Sequence, residues 1–155
     1  LKSRENELVI LESMLRDQDY RQVQQVAGRP VTWGWMSSAY GKRVDPFSGK
    51  MAWHAGVDFA GKDGSDVIAV ASGVVTHSGK RSGYGQMVEI NHGGGYVTRY
   101  GHHASVLVKV GDIVEQGQPI GTMGSSGRST GPHVHFEVLK DGRSVDPARY
   151  VARRR

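Results

Sequence analysis

The stretch Gly131–Val138, GPHVHFEV, determines how this 155-residue chain is interpreted. From His133 to Glu137 every second residue is titratable, and the residues between them are apolar. A half-buried strand repeats every second residue, so the pattern predicts a strand whose apolar face packs inward. The other face would present two imidazoles, those of His133 and His135, to a cleft or to solvent. The function then depends on which groups elsewhere in the sequence meet these two rings.

Composition predicts one glycine-rich, mainly β domain. The chain has 22 glycines and 37% hydrophobic residues, which is typical of soluble, turn-rich proteins. Its length suits a single domain with a substantial core. No apolar run in the sequence is long enough to span a bilayer.

The charge balance is modestly basic. Twenty Lys and Arg residues against fifteen Asp and Glu residues give a formal charge of +5, which is compatible with an anionic partner. Part of this excess lies in the terminal Arg153–Arg155, and no aromatic residues alternate with a basic stripe. We therefore expect no nucleic-acid binding.

The chain divides into three predicted segments. Residues 1–27 contain no glycine or proline before Gly28, and Leu8, Leu11 and Leu15 recur at helical spacing, so this segment is predicted to be a helical arm or the end of a coiled coil. Residues 28–150 are predicted to form the β domain. Residues 151–155 form a basic tail.

Turn signals recur every eight to twelve residues after Gly28-Arg29-Pro30, which ends the predicted arm. The sequence predicts strands near residues 66–70, 73–78, 86–91, 96–100, 105–110, 119–123 and 133–139. A tight hairpin turn is predicted at Asp141-Gly142, directly after the last of these strands.

Five of the seven histidines lie in three short motifs. These motifs are His54-Ala-Gly-Val-Asp58, Tyr100-Gly-His102-His103 and His133-Val-His135. Cysteine is absent, so any metal must be held by nitrogen and oxygen, and a catalytic zinc site of that kind uses about three such ligands with one position left for water. The residues alone also allow a plainer interpretation, in which Asp58 is a turn carboxylate and the histidine pair lines a polar strand face.

Four further residues near these motifs are given no catalytic role. His103 is expected to be an exposed neighbour of His102, and His77 and His92 are interpreted as ordinary loop or strand-end residues. Glu137 lies about 7 Å beyond His135 along a strand that rises about 3.3 Å per residue. It is interpreted as a structural group or an outer partner of the site.

The three motifs, in this order, resemble those of the M23 metallopeptidases, also called the LytM or lysostaphin-like family. The resemblance extends from about Ser38 to Pro147 and is most specific at Gly131–Glu137. It implies a mainly β domain of the LytM type, built on an antiparallel sheet with lipoyl-like, barrel-sandwich hairpins. It also implies that His54, Asp58 and His135 bind one Zn²⁺ per chain, while His102 and His133 act as catalytic histidines outside the metal shell.

The resemblance implies an endopeptidase of the bacterial cell wall. The expected partners are the stem peptides of peptidoglycan, and the expected reaction is D,D-endopeptidase cleavage of D-alanyl-diaminopimelate bonds. We expect an extracytoplasmic location, in the periplasm or envelope of a Gram-negative bacterium. A signal, a membrane anchor or further domains upstream of Leu1 are compatible with this expectation, and the sequence does not fix the oligomeric state.

Two other functions remain to be distinguished from hydrolysis. A LytM-like module that has lost catalysis could bind or activate another wall hydrolase, although such modules usually lack one or more metal residues. A histidine phosphocarrier or lipoyl-like carrier is suggested by the hairpins of residues 106–124. A carrier needs no set of three metal ligands, and a carrier function would not explain the presence of Asp58.

Overall fold

The computed structural model describes residues 26–32, 34–44, 49–124 and 131–151. The predicted helical arm lies outside these residues except for Val26 and Ala27, and the predicted tail lies outside them except for Val151. Val26 and Ala27 are both fully buried. The division into arm, domain and tail stays a prediction.

Short strands make up most of the described residues, with one short helix near the end. They are β1 (Trp35–Ser38), β2 (Gly41–Val44), β3 (Met51–His54), β4 (Val57–Ala60), β5 (Asp66–Ile68), β6 (Gly73–Arg81), β7 (Gly85–Gly93), β8 (Tyr96–Val106), β9 (Ile113–Val114), β10 (Pro119–Met123), β11 (His133–Lys140), β12 (Arg143–Val145) and α1 (Ala148–Val151).

Ten strands of the described part of the chain form one antiparallel sheet, and β2 and β3 pair separately as a hairpin. The main order is β1-β4-β11-β8-β7-β6-β9; β10 pairs with β8 and β5, and β12 pairs with β11. The predicted mainly antiparallel β fold is therefore confirmed. Because β11 lies between β4 and β8, its side chains meet residues from both neighbours.

The predicted alternation along β11 is confirmed. Val134, Phe136 and Val138 are fully buried, whereas His133 and His135 keep partial exposure on the other face. The apolar face packs into a core with Phe59 from β4 and Tyr100 from β8, whose ring lies 5.4 Å from that of Phe136. Full burial of such side chains stabilises the fold by about 1.5–3 kcal/mol each.

Two tight turns fix the register of the central strands. Asp141 and Gly142 have φ values of 52° and 81°, so the hairpin predicted between β11 and β12 is confirmed. Gly94 and Gly95 connect β7 to β8 with φ values of 59° and 86°. Positive φ at both central residues is the conformation that a two-residue hairpin loop requires.

The strand predicted at residues 105–110 is wrong. β8 continues through Val106, because β10 extends the sheet beside its second half and pairs Gly121 with Val106. The chain then turns, with the Lys109 amide donating to the Asp112 carboxylate at 2.8 Å. Within the described residues, no helix has the length and apolar character needed to cross a membrane.

Candidate metal centre

The pairing of β4 with β11 brings two motifs together. Asp58 on β4 lies directly opposite His135 on β11, and residues directly opposite each other in a strand pair present their side chains on the same face. His54 ends β3, and two residues of turn separate it from β4. The His54 and Asp58 motif is thus a turn that leads into a strand, as its glycine predicts.

Three predicted ligand residues converge at this point. His54 Nε2 lies 3.2 Å from His135 Nδ1 and 3.3 Å from Asp58 Oδ1, and His135 Nδ1 lies 2.8 Å from Asp58 Oδ1. Ligand atoms about 2.0–2.1 Å from a tetrahedral zinc ion would stand about 3.3 Å apart. The donor set and its spacing therefore fit a metal ion such as zinc. The observed distances between ligand atoms are equal to this ideal spacing or somewhat shorter.

Each of the two histidines in this cluster has its other ring nitrogen held by an oxygen. His54 Nδ1 donates to the carbonyl of Ala39 at 2.8 Å, and His135 Nε2 donates to Glu137 Oε2 at 2.8 Å. When both rings are neutral, as metal binding requires, these bonds leave the lone pairs on His54 Nε2 and His135 Nδ1, the atoms that face Asp58. When the His135 ring is protonated, Nδ1 donates to Asp58 instead. Outer partners of this kind are usual for metal-ligating histidines.

Hydrogen bonds within the cluster control the pKa values of Asp58 and His135. Burial by itself would raise the pKa of Asp58, but hydrogen bonds from His135 and His54 outweigh it and hold that pKa well below its usual range. Burial would lower the pKa of His135, but its bonds to Asp58 and Glu137 raise it to about 9. The site therefore concentrates negative charge from two carboxylates around the His135 ring, which favours any cation bound there.

Gly56 allows the close approach of the turn to β11. A Cβ atom at this position would collide with the Phe136 carbonyl and would lie 2.8 Å from Glu137 Cγ and 3.1 Å from His135 Cε1. Real Cβ atoms do not approach backbone and side chains this closely, so the position needs glycine.

The two predicted catalytic histidines lie beside the cluster. The rings of His102 and His133 have centroids 4.8 Å apart, and the His102 ring lies 6.1 Å from that of His135. His102 has φ of 64° at a bulge of β8, a conformation uncommon for a residue with a side chain and frequent at functional sites. Gly124 joins the two residues, since its amide donates to the His102 carbonyl and its carbonyl accepts from the His133 amide, each at 3.1 Å.

Glu137 is held by two further side chains. Tyr84 Oη donates to its two carboxylate oxygens at 3.0 and 3.1 Å, and Arg99 Nη1 lies 3.5 Å from Oε1. Arg99 makes its shorter bond, 2.6 Å, to Glu89 on β7. No sequence motif marks Tyr84 or Arg99, because their link to the site arises only when β7, β8 and β11 are paired.

The expectation that His103 is exposed is wrong. His103 is fully buried, and its ring packs over Gly121 of β10. Burial and the neighbouring His102 lower the pKa of His103 to about 4. His92 does lie near the end of β7, but it is buried and hydrogen-bonded rather than an ordinary surface residue.

Comparison with known proteins agrees with this geometry. The model of peptidase family M23 matches residues 52–147, more than half of the chain, and the matched region contains all five predicted site residues. The chain is a member of peptidase family M23.

The M23 domain is similar to proteins of several Gram-negative bacteria. The DD-carboxypeptidase/endopeptidase Mpg of Neisseria meningitidis is 39% identical over 84% of this chain and 31% of its own length. The murein hydrolase activator NlpD of Escherichia coli is 38% identical over 79% of this chain and 32% of its own length. This chain therefore spans about a third of the length of these curated relatives.

A solved M23-like structure shares the fold. The crystal structure of a zinc-containing peptidase from Vibrio cholerae matches with a TM-score of 0.71 and 37% identity, over 79% of this chain and 38% of that chain. The family thus includes named peptidases and a named activator of murein hydrolases, and membership alone leaves both roles open.

Proposed function

We propose that this M23 domain is a zinc-dependent endopeptidase that hydrolyses peptide crosslinks of bacterial peptidoglycan. The observation that carries the proposal is the convergence of His54, Asp58 and His135, whose ligand atoms all lie within 4.8 Å of one another. Three ligands leave a fourth position of a tetrahedral ion for water or substrate, as in catalytic rather than structural zinc sites. When bound there, zinc would lower the pKa of a water molecule and polarise a peptide carbonyl.

The two remaining histidines supply the proton chemistry. His133 Nδ1 donates to the Gly131 carbonyl at 2.8 Å, so the neutral ring carries its lone pair on Nε2 and can accept a proton there. His102 stands next to it and can donate a hydrogen bond to the oxyanion that develops during peptide hydrolysis. In this scheme His133 takes the proton of the attacking water and returns it to the leaving amine.

The relatives favour a Gram-negative cell-wall substrate. Mpg is named a DD-carboxypeptidase/endopeptidase, and we extend that bond type to this chain as cleavage of D-alanyl-diaminopimelate crosslinks. The proposed location is the periplasm or envelope, where stem peptides are the partners. A formal charge of +5 suits encounter with an anionic wall, and the attraction should weaken with salt.

Digestion of purified sacculi tests the function directly. Gram-negative and Gram-positive sacculi are incubated with the zinc-loaded protein, with and without a chelator, and the released muropeptides are identified by mass. We expect crosslinked dimers from the Gram-negative wall to become monomers, and the chelator to stop the conversion. Retention of all dimers by a protein that binds one zinc per chain would rule out the proposed hydrolysis.

Activation of another wall hydrolase is the second candidate function, because NlpD is a named murein hydrolase activator of similar identity. The complete set of histidines and Asp58 favours hydrolysis. An activator would leave sacculi intact by itself and accelerate their digestion by a second hydrolase, without a need for zinc.

A further inference from the structure

Tyr84 contacts the metal centre from the turn between β6 and β7. Its ring centroid lies 5.8 Å from that of His135, and its hydroxyl donates to both oxygens of Glu137, at 3.0 and 3.1 Å. The Glu137 carboxylate in turn accepts from His135 Nε2 at 2.8 Å. Two successive hydrogen bonds through Glu137 therefore connect Tyr84 to the predicted metal ligand His135.

The backbone of Tyr84 is anchored to the same site. Its carbonyl accepts the amide of His102 at 2.7 Å, in the bulge that gives His102 its positive φ. Gly101 allows this contact, since a Cβ atom there would lie 3.3 Å from the Tyr84 carbonyl oxygen. The Arg81 guanidinium lies 5.6 Å from the centroid of the Tyr84 ring. These contacts hold the hydroxyl at a fixed distance from β11.

Arg99 is the other described side chain that reaches Glu137, but its geometry is weaker. It lies 3.5 Å from Glu137 and 2.6 Å from Glu89, and Glu89 also accepts from the Thr76 hydroxyl at 2.8 Å. A hydrogen bond at 3.5 Å contributes much less than one at 3.0 Å. Tyr84 is thus the closer support of the carboxylate after His135 itself.

We infer that Tyr84 is a positioning residue of the metal centre, which holds Glu137 so that the His135 ring keeps Nδ1 directed at His54 and Asp58. The inference rests on the proposed function, because it assigns Tyr84 a role toward a bound ion. Without the hydroxyl, Glu137 keeps His135 and Arg99 as partners but can swing toward Arg99. The His135 ring then samples orientations in which Nδ1 no longer faces Asp58.

Zinc affinity provides the first test, measured on the purified protein by competition with a chromophoric chelator. Loss of an outer partner of a ligand typically costs about 10–100-fold in metal affinity. We expect at least a tenfold loss for Glu137→Gln and about a three- to tenfold loss for Tyr84→Phe, one step further out. Tyr96→Phe is the matched control, because Tyr96 packs on Tyr150 and Lys140 away from the site, and it should bind zinc like the wild type.

A double-mutant cycle tests whether Tyr84 acts through Glu137. In the Glu137→Gln background, Tyr84→Phe should lower zinc affinity by no more than about twofold, because the charged acceptor is already gone. The absorption spectrum of the cobalt-substituted protein should also shift in Tyr84→Phe and stay unchanged in Tyr96→Phe. The unfolding temperature of the metal-free protein should be nearly the same for both variants, which separates positioning from a general structural role.

The outcomes separate this inference from the proposed function. A wild-type protein that binds no zinc would overturn both. A wild type that binds zinc, together with a Tyr84→Phe protein of equal affinity and an unchanged cobalt spectrum, would overturn the role of Tyr84 alone. Full additivity in the cycle would show that the hydroxyl acts independently of Glu137, and would also overturn it.

Discussion

The five predicted site residues form two groups. The proposed metal ligands are His54, Asp58 and His135, and the proposed catalytic histidines are His102 and His133. Asp58 and His135 direct ligand atoms at each other at 2.8 Å, whereas His133 directs Nδ1 to a backbone carbonyl. We expect Asp58→Ala to lose zinc and sacculus hydrolysis together. His133→Ala should keep zinc within about threefold of the wild-type affinity and lose hydrolysis by about 10²–10⁴-fold, the usual contribution of a general base.

Zinc content by atomic absorption and turnover of muropeptide dimers measure these two effects. His77→Ala serves as the control, because His77 lies on β6 and its ring makes a local hydrogen bond, to the Gly79 carbonyl at 3.2 Å. Normal cleavage by His133→Ala would refute the assignment of that ring to proton transfer.

Gly56 gives a second prediction at the scale of one atom. Gly56→Ala adds a methyl group where the Phe136 carbonyl, Glu137 and His135 leave no space. The turn must move away from β11, which pulls His54 from Asp58 and His135, so we expect at least a tenfold loss of zinc affinity. Gly131→Ala is the matched control, since its Cβ would enter open space. Equal zinc affinities in the two variants would contradict the close approach of the Gly56 turn to β11.

Sequence analysis identified the site residues that lie together in short motifs. It missed residues whose role arises only when distant strands pair in the sheet. The three histidine motifs could be read because each lies within five consecutive positions. The burial of His103 could not, since its ring packs over Gly121 of β10. Nor could the contact from Tyr84 to Glu137, which joins residues 53 positions apart.

At the scale of elements, β7 and β8 share a buried polar network around His92. His92 Nδ1 donates to the Ser72 carbonyl at 2.7 Å, and Nε2 lies 2.7 Å from Thr98 Oγ1, which lies 2.9 Å from Tyr100 Oη. The Tyr100 hydroxyl also accepts from the Val70 amide at 3.1 Å. The network ties both strands to the segment that follows β5.

This network predicts a specific loss of stability in acid. Burial lowers the pKa of His92 from 6.5 to about 4, although its bond to the Ser72 carbonyl opposes the shift. As the pH falls below 6.5 the unfolded chain gains a proton that the folded chain excludes, so stability decreases until about pH 4. For His92 alone this amounts to about 2 kcal/mol between pH 7 and pH 4.5.

Urea unfolding of metal-free protein at these two pH values measures the effect. His92→Gln should be less stable at pH 7 but should lose about 2 kcal/mol less than the wild type on acidification. His77→Gln is the control variant, because His77 is partly exposed and lies outside this network. Equal losses for His92→Gln and the wild type would show that His92 does not resist protonation.

β1 adds an exposed aromatic ring to the face that carries the site. Trp35 lies opposite Ala60 of β4, and Ala60 lies opposite His133 of β11, so Trp35 stands on the same face as His133 at about twice the strand spacing of 4.8 Å. Its side chain is 56% exposed. We expect Trp35→Ala to raise KM for muropeptide dimers several-fold and to change kcat by less than twofold.

Trp53 is the natural control for Trp35. It is 61% exposed but immediately precedes His54 in β3, so it points to the opposite side of that strand. Trp53→Ala should leave KM near the wild-type value. A KM that rises equally in both variants would attribute the effect to general surface hydrophobicity.

Element prediction located the long strands and the short strands β5 and β10, and it missed most of the other short strands. β6, β7, β8 and β11 have eight to eleven residues each, enough for alternation and bounding turns to be recognised. β1, β2 and β3 have four residues each, and their pairing rather than their composition makes them strands. The strand predicted at 105–110 was wrong because β8 itself continues through Val106, and the chain turns only after that residue.

At the scale of the whole molecule, the core and the metal centre lie on opposite faces of the same strands. The buried apolar residues of β4, β8 and β11 form one cluster, which contains none of the residues His54, Asp58 and His135. We therefore expect the domain to fold without the ion, in contrast to small zinc domains that unfold without metal. Zinc should act as a ligand that binds a folded domain.

This gives the last prediction, on the thermal stability of the domain. Metal-free protein should unfold cooperatively, and zinc at about 100 times its dissociation constant should add about 2.7 kcal/mol. For a chain of this size that corresponds to a rise of about 5–10 °C in the unfolding temperature, measured by calorimetry. Asp58→Ala should abolish the rise, whereas His133→Ala should keep it because His133 lies outside the ligand set. A metal-free wild type that is already unfolded at 25 °C would contradict the independence of the core from the ion.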